Sequence, residues 1–158
     1  MVQNDYGDDN DCTLTAITTC IKYFYPKMDT YAIYNKVAKS GKKFGYTGSY
    51  GTPNATIKLI YNEVLRGMGS NKRACSRYFK EVGFSWNFIK KEIDAKDPIL
   101  LNLWKDGRYY YQNHSVLIVG YLEYQGKKFL AIYDNWYRSL SYIDYQKLNP
   151  ICSIHFLN

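Results

Sequence analysis

The sequence predicts an α+β fold. Two observations carry that expectation: apolar residues recur at helical spacing through the first half of the chain, and the second half breaks into short β-rich runs separated by turns. A third is the lack of any internal repeat, low-complexity linker or composition shift, which points to a single domain over residues 1–158.

The first helix is expected from Cys12 to Phe24, where Leu14, Ile17, Ile21 and Phe24 fall on one face and Pro26 ends the run. Asp29 or Thr30 caps a second helix carrying Ile33, Val37 and Ala38, with Gly41 as its stop; the stretch from there to Gly51 reads as a long loop. Thr52 and Pro53, as N-cap and first-turn proline, open a third helix that runs through Ile57, Ile60, Val64 and Leu65 to Gly67 and Gly69. A strand is expected near Ala74 to Glu81, then a fourth helix capped by Ser85 with Trp86, Ile89 and Ile93 on one face. Asp97-Pro98 breaks it, and Ile99 to Trp104 reads as a buried strand. Four further strands follow: His114 to Leu122, Lys128 to Tyr133, Leu140 to Ile143 and Ile151 to Phe156.

Composition excludes several classes. With 46% apolar and 22% charged residues the chain is no disordered polymer. Its 18 tyrosines suggest an aromatic, partly exposed surface. The charge of +7 favours anionic partners in principle, yet Lys and Arg are scattered, so no nucleic-acid interface is expected. No run approaches the ~20 apolar residues of a membrane span, and no basic-then-apolar signal opens the chain. Because the first motif lies within a dozen residues of Met1, a leader removed upstream is compatible with the sequence, and the compartment stays open. Cys12, Cys20, Cys75 and Cys152 lack the close pairing of a zinc site; a reduced chain without metal or cofactor is the expectation.

Chemistry concentrates at three places. Cys12 opens the first helix, where the helix terminus and an imidazolium can bring a thiol down to roughly 3.5–7.5. His114 stands at the mouth of "HSVLIVGY", and Asp134 ends the strand "AIYDNW" with Asn135 as a competing orienter. Hairpin parity tests the last pair, because opposed residues on antiparallel strands share a face. A two-residue turn at Gln125-Gly126 separates His114 and Asp134 onto opposite faces unless a bulge intervenes; a three-residue turn with Gly126 left-handed pairs Val116 with Asp134 and keeps them together. The three-residue turn is the favoured expectation. Asp134 would then hold the imidazole for proton transfer with Cys12, and Trp136 would shield that bond. An oxyanion hole needs the Cys12 N–H and one amide upstream, for which Gln3 is the candidate and Asn10 and Asn4 are poorer ones. Tyr109, Tyr110 and Tyr111 either pack on a strand or line a substrate groove.

The upstream Gln3, "DC" opening a helix that ends in "YF", "HSVLIVGY" and "YDNW" together resemble the papain-like cysteine peptidases, in the branch of the bacteriocin-processing, double-glycine-leader peptidases. "FSWNFIKKEIDAKDPILLNLW" resembles the family's helix and proline-initiated strand ahead of the histidine, so the likeness covers most of the chain. It implies a helical N-terminal half on an antiparallel sheet with a cleft between them, Cys12 as nucleophile, His114 as base, Asp134 as its orienter and Gln3 in the oxyanion hole. It also implies a peptide or protein substrate and a secreted or cell-surface bacterial protein. Two places depart from the family's usual pattern: Thr13 stands where many members have glycine, and the insert "YGDDND" brings Asp8, Asp9 and Asp11 toward the thiol, where negative charge opposes its ionisation. The same fold could instead serve a cell-wall amidase or transpeptidase, or a non-enzymatic peptide-binding module.

Overall fold

The computed structural model describes all residues except 1, 4, 8, 105–110 and 112. Asn4, Asp8, Tyr109 and Tyr110 therefore lie outside the described residues. Helix α1 spans Cys12–Phe24, as the apolar spacing predicts. Helix α2 spans Thr30–Lys43, with the Asp29 carboxylate accepting the Ala32 N–H at 2.8 Å as its cap. Gly41 does not stop this helix. It is the point where α2 presses on α1: a Cβ there would stand 2.8 Å from Leu14 Cδ2, and the chain turns away only at Gly45, with φ +92°. Pro53 likewise does not start the third helix, because its ψ of 130° is extended; a 3-10 turn at Asn54–Thr56 leads into α3, Ile57–Gly67.

Strand β1 is Ala74–Tyr78, shorter than expected because Phe79 and Glu81 turn left-handed at φ 67° and 66°. Ser85 caps α4, Trp86–Asp94, accepting the Phe88 N–H at 3.3 Å. The remaining strands are β2, Ile99–Leu103; β3, His114–Tyr124; β4, Lys127–Tyr133; β5, Ser141–Asp144; and β6, Ser153–Leu157. They form one antiparallel sheet in the order β1-β6-β2-β3-β4-β5, the last strand inserting between β1 and β2.

Alternation along β2 and β3 divides the core. Leu100 and Leu117 join Leu14, Ile17, Ile21, Ile60 and Leu65 under α1 to α3. Leu101, Val116 and Ile118 face the other way, with Trp86 and Ile89 of α4. The arrangement is helices, sheet, helix, so the α+β expectation holds with α4 as a third layer. Each buried Leu or Ile contributes about 1.5–3 kcal/mol, which pins α1, and Cys12 with it, to the sheet.

The β3–β4 hairpin corrects the expected turn. Tyr124 pairs with Lys127 across a two-residue turn in which Gln125 and Gly126 both have positive φ, 49° and 74°. Between Ile118 and Gly120 the register then slips by one residue, a β-bulge at Val119, after which Leu117 pairs with Tyr133. Continued along the strands, that register sets Val116 opposite Asp134. The bulge thus restores the pairing that a longer turn was expected to provide.

Candidate functional site

Cys12 is the first residue of α1, and its thiol is half-buried against the sheet. The backbone N–H of Ser115, the residue directly after His114, favours its ionised form, and the sulfur lies 4.0 Å from Thr13 Oγ1. Asn135 binds the same two segments together, its amide donating to Cys12 O at 3.1 Å and to Ser115 O at 2.6 Å. The helix start, the mouth of β3 and the end of β4 therefore meet in one place.

His114 is 3% exposed. Its Nε2 lies 2.5 Å from the Asp134 backbone carbonyl, which can only accept, so Nε2 carries the hydrogen. In the neutral ring Nδ1 is then the basic nitrogen, and it has no hydrogen-bond partner among the described residues. Trp136 covers the ring at 4.4 Å between centroids and Tyr111 stacks on it at 5.7 Å. Among the described residues no hydrogen bond joins the imidazole to the Cys12 sulfur.

Asp134 holds His114 by its main chain rather than by its carboxylate, which differs from the expected side-chain contact. One carboxylate oxygen accepts the Trp136 and Tyr137 N–H groups at 3.0 Å each; the other accepts the Tyr111 and Ser141 hydroxyls at 2.9 Å each. These bonds fold the chain after β4 back on itself and lock the carbonyl in line with the ring. Burial alone would raise the Asp134 carboxyl, but the Tyr137 N–H, the Tyr111 hydroxyl, the Trp136 N–H and the Ser141 hydroxyl hold it below the usual carboxylate range.

Gln3 is tied to the same corner: its N–H donates to Asn135 O at 2.5 Å, and its Oε1 accepts from Trp136 Nε1 at 3.1 Å. With Oε1 engaged, the carboxamide offers its NH2 as the remaining donor. No hydrogen bond links Gln3 to Cys12 among the described residues.

The thiol opens on a cleft of about 730 Å³ lined by Cys12, Thr13, Asn10, Asn102, Trp104 and Asn113, with residues 49–55 as its opposite wall. Residues 49–51 of that wall end the long loop expected from Gly41 to Gly51, and residues 52–55 are the stretch expected to open the third helix. Tyr111, left open between packing and groove, packs on the imidazole instead of appearing in this lining.

Electrostatics differ from the expected ion pair. Burial pushes the Cys12 thiol above its ordinary value, against the opposing pull of the Ser115 N–H and the Thr13 hydroxyl and N–H, and the Asp11 charge adds to the rise. Asp11 does not point to solvent; it is fully buried and accepts from Thr15 Oγ1 at 3.1 Å and Tyr34 OH at 2.8 Å. His114 is pushed below its ordinary value by burial, only partly offset by the Asp134 carbonyl and charge. Both shifts favour the neutral form of each group, the reverse of the expected ion pair.

Cys20 lies fully buried in α1 with its thiol pushed up to about 12, and Cys152 to about 11, both by burial. All four cysteines are free. Among the described residues no group of three or more His, Cys, Asp or Glu side chains converges as a metal site, and no helix is long and apolar enough to cross a membrane. Sequence reasoning missed Ser115 and Asn102, whose only signal was their alternation with apolar neighbours on β3 and β2.

A family model described as Peptidase_C39 like family matches residues 1–149, a span that holds all four candidate positions. No curated protein matches the sequence.

Proposed function

The chain belongs to the Peptidase_C39 like family, and from that membership we propose that it is a cysteine peptidase built on Cys12, His114, Asp134 and Gln3. Cys12 Sγ attacks the carbonyl carbon of a peptide bond while its proton passes to His114 Nδ1. The Cys12 N–H and the Gln3 amide hold the tetrahedral oxyanion. Collapse returns the proton from His114 to the leaving amine and leaves a thioester, which water, deprotonated by His114, hydrolyses to the free acid and thiol.

The observation that supports this most is the bond between His114 Nε2 and the Asp134 carbonyl, because it fixes the tautomer in which Nδ1 is the base. Asp134 then serves as a positioning residue. A family of peptidases and a cleft open at the thiol agree with a peptide substrate.

The test is cleavage of a peptide library read by mass spectrometry. Cys12→Ala is expected to lower cleavage by about 10³-fold or more, and Cys20→Ala to leave it near the parent rate. Cleavage that survives Cys12→Ala overturns the assignment. The raised thiol favours a second reading, a non-enzymatic peptide-binding module on the same cleft. Peptide retention without any cleavage by the parent chain would select it.

A further inference from the structure

A chain of polar contacts runs from the Cys12 sulfur through Thr13 and Ser115 to Asn102. Thr13 Oγ1 lies 4.0 Å from Sγ, Thr13 Oγ1 and Ser115 Oγ are 2.7 Å apart, and Ser115 Oγ donates to Asn102 Oδ1 at 3.2 Å. Thr13 is 4% exposed and Ser115 fully buried, whereas Asn102 is half-buried and lines the cleft. The chain therefore joins the nucleophile to the cleft floor.

The direction of each bond follows from counting hydrogens. A carboxamide oxygen can only accept, so Ser115 spends its one hydrogen on Asn102. Thr13 must then donate to Ser115, which leaves the thiol as the donor to Thr13. In this state the S–H proton is held by Thr13. When the thiol ionises the chain has to reverse: Thr13 donates to the thiolate, Ser115 donates to Thr13, and Asn102 Oδ1 loses its partner. Thiolate and Asn102 compete for the same two hydroxyl hydrogens.

We propose that Thr13 and Ser115 form a reversible hydroxyl chain coupling the binding of a peptide backbone N–H at Asn102 to ionisation of the Cys12 thiol. A bound backbone amide that donates to Asn102 Oδ1 frees Ser115 to turn toward Thr13, and Thr13 to turn toward sulfur. The thiol proton goes to His114 Nδ1; the hydroxyls only rotate. Asn102 is the substrate-facing end, Thr13 and Ser115 are positioning residues, and the consequence for catalysis rests on Cys12 being the nucleophile as proposed above.

The charged group that bears on the sulfur is Asp11 on the α1 side, while Asp134 at the end of β4 bears on His114 of β3. None is altered in the test. In a Cys75→Ser background, which removes a partly exposed second thiol, the rate of Cys12 alkylation by iodoacetamide is followed against pH with the adduct located by mass mapping. Thr13→Val removes the donor to the thiolate and is expected to move the profile up by about one pH unit, while Thr13→Ser stays near the parent. Asn102→Ala removes the competitor for Ser115 and is expected to move the profile down, although it weakens peptide binding and raises KM. A general packing disturbance does not produce shifts of opposite sign.

Shifts in the same direction, or none, overturn the proposal. If Thr13→Val folds poorly, the Asn102→Ala arm decides alone, since a profile at or above the parent's contradicts it. Alkylation needs no turnover, so these profiles stand or fall independently of whether Cys12→Ala abolishes cleavage.

Discussion

Asn10, Asn113 and Asn135 take left-handed backbone, with φ 51°, 49° and 66°, and stand two residues before Cys12, one before His114 and one after Asp134. Asparagine, like aspartate, tolerates that region better than most residues with a side chain, so the chain can turn sharply beside each candidate position. Asn135 does most with its turn, because its amide bridges Cys12 O and Ser115 O. Asn135→Gly keeps the backbone comfortable and removes the bridge; it is expected to lower stability by about 1–3 kcal/mol in urea titrations and to reduce peptide cleavage. Unchanged stability would show that the bridge holds nothing. At this scale the sequence was only partly legible. It named Cys12, His114 and Asp134 at element ends and Gln3 as an upstream amide, but which atom of Asp134 meets His114 depends on the fold of 134–141, where the carboxylate is consumed by two N–H groups and two hydroxyls.

Elements with a strong period were read to the residue, as with α1, while those decided by backbone sign were not. The β3–β4 hairpin is the instructive case. The sequence favours a three-residue turn with Gly126 left-handed, yet Gln125 is left-handed too, at φ 49°, which makes Gln125-Gly126 a two-residue turn, and the parity it imposes is undone by the bulge beside Gly120. That glycine was the missed signal: a Cβ there would stand 3.3 Å from Ala131 Cβ, a close approach that a glycine inside a strand run often marks. Gln125→Asn supplies the residue that this turn prefers and is expected to stabilise the protein by about 0.5 kcal/mol in thermal or urea melts. No gain, or a loss, would argue for the longer turn after all. Gly41 carries the same lesson for helices, since close packing against Leu14, rather than chain termination, accounts for a glycine there.

Across the whole molecule, β6 is an interior strand, second from one edge of the sheet, and carries His155, which is fully buried and contacts Ser76 Oγ at 2.8 Å and Asn54 Oδ1 at 3.2 Å. Asn54 belongs to the cleft wall, so the core histidine braces the site from behind. Burial lowers His155 to about 3 and also lowers His114. Both folded values lie below the unfolded one, so the unfolded chain takes up protons first as pH falls. Stability is then full above roughly pH 6.5 and declines below it by about 1.4 kcal/mol per pH unit for each histidine until its folded value is reached. Urea titrations at pH 7.5 and pH 5 check this, and His155→Asn should flatten the slope; equal stability at the two pH values would contradict it. The layer order was legible from the change of period halfway along the chain, whereas the crossing of β6 and the placing of α4 on the far face were not, because both depend on non-local pairing. The central claim is that the His114 ring activates the Cys12 thiol, and a peptidyl acyloxymethyl ketone reports on it most directly, since it labels only a thiol assisted by its base. Mass mapping is expected to find the adduct on Cys12 in the parent chain and to lose it in His114→Ala, while iodoacetamide still alkylates Cys12 in that variant. An adduct that forms equally well without the imidazole, or that maps to Cys75, would contradict the account.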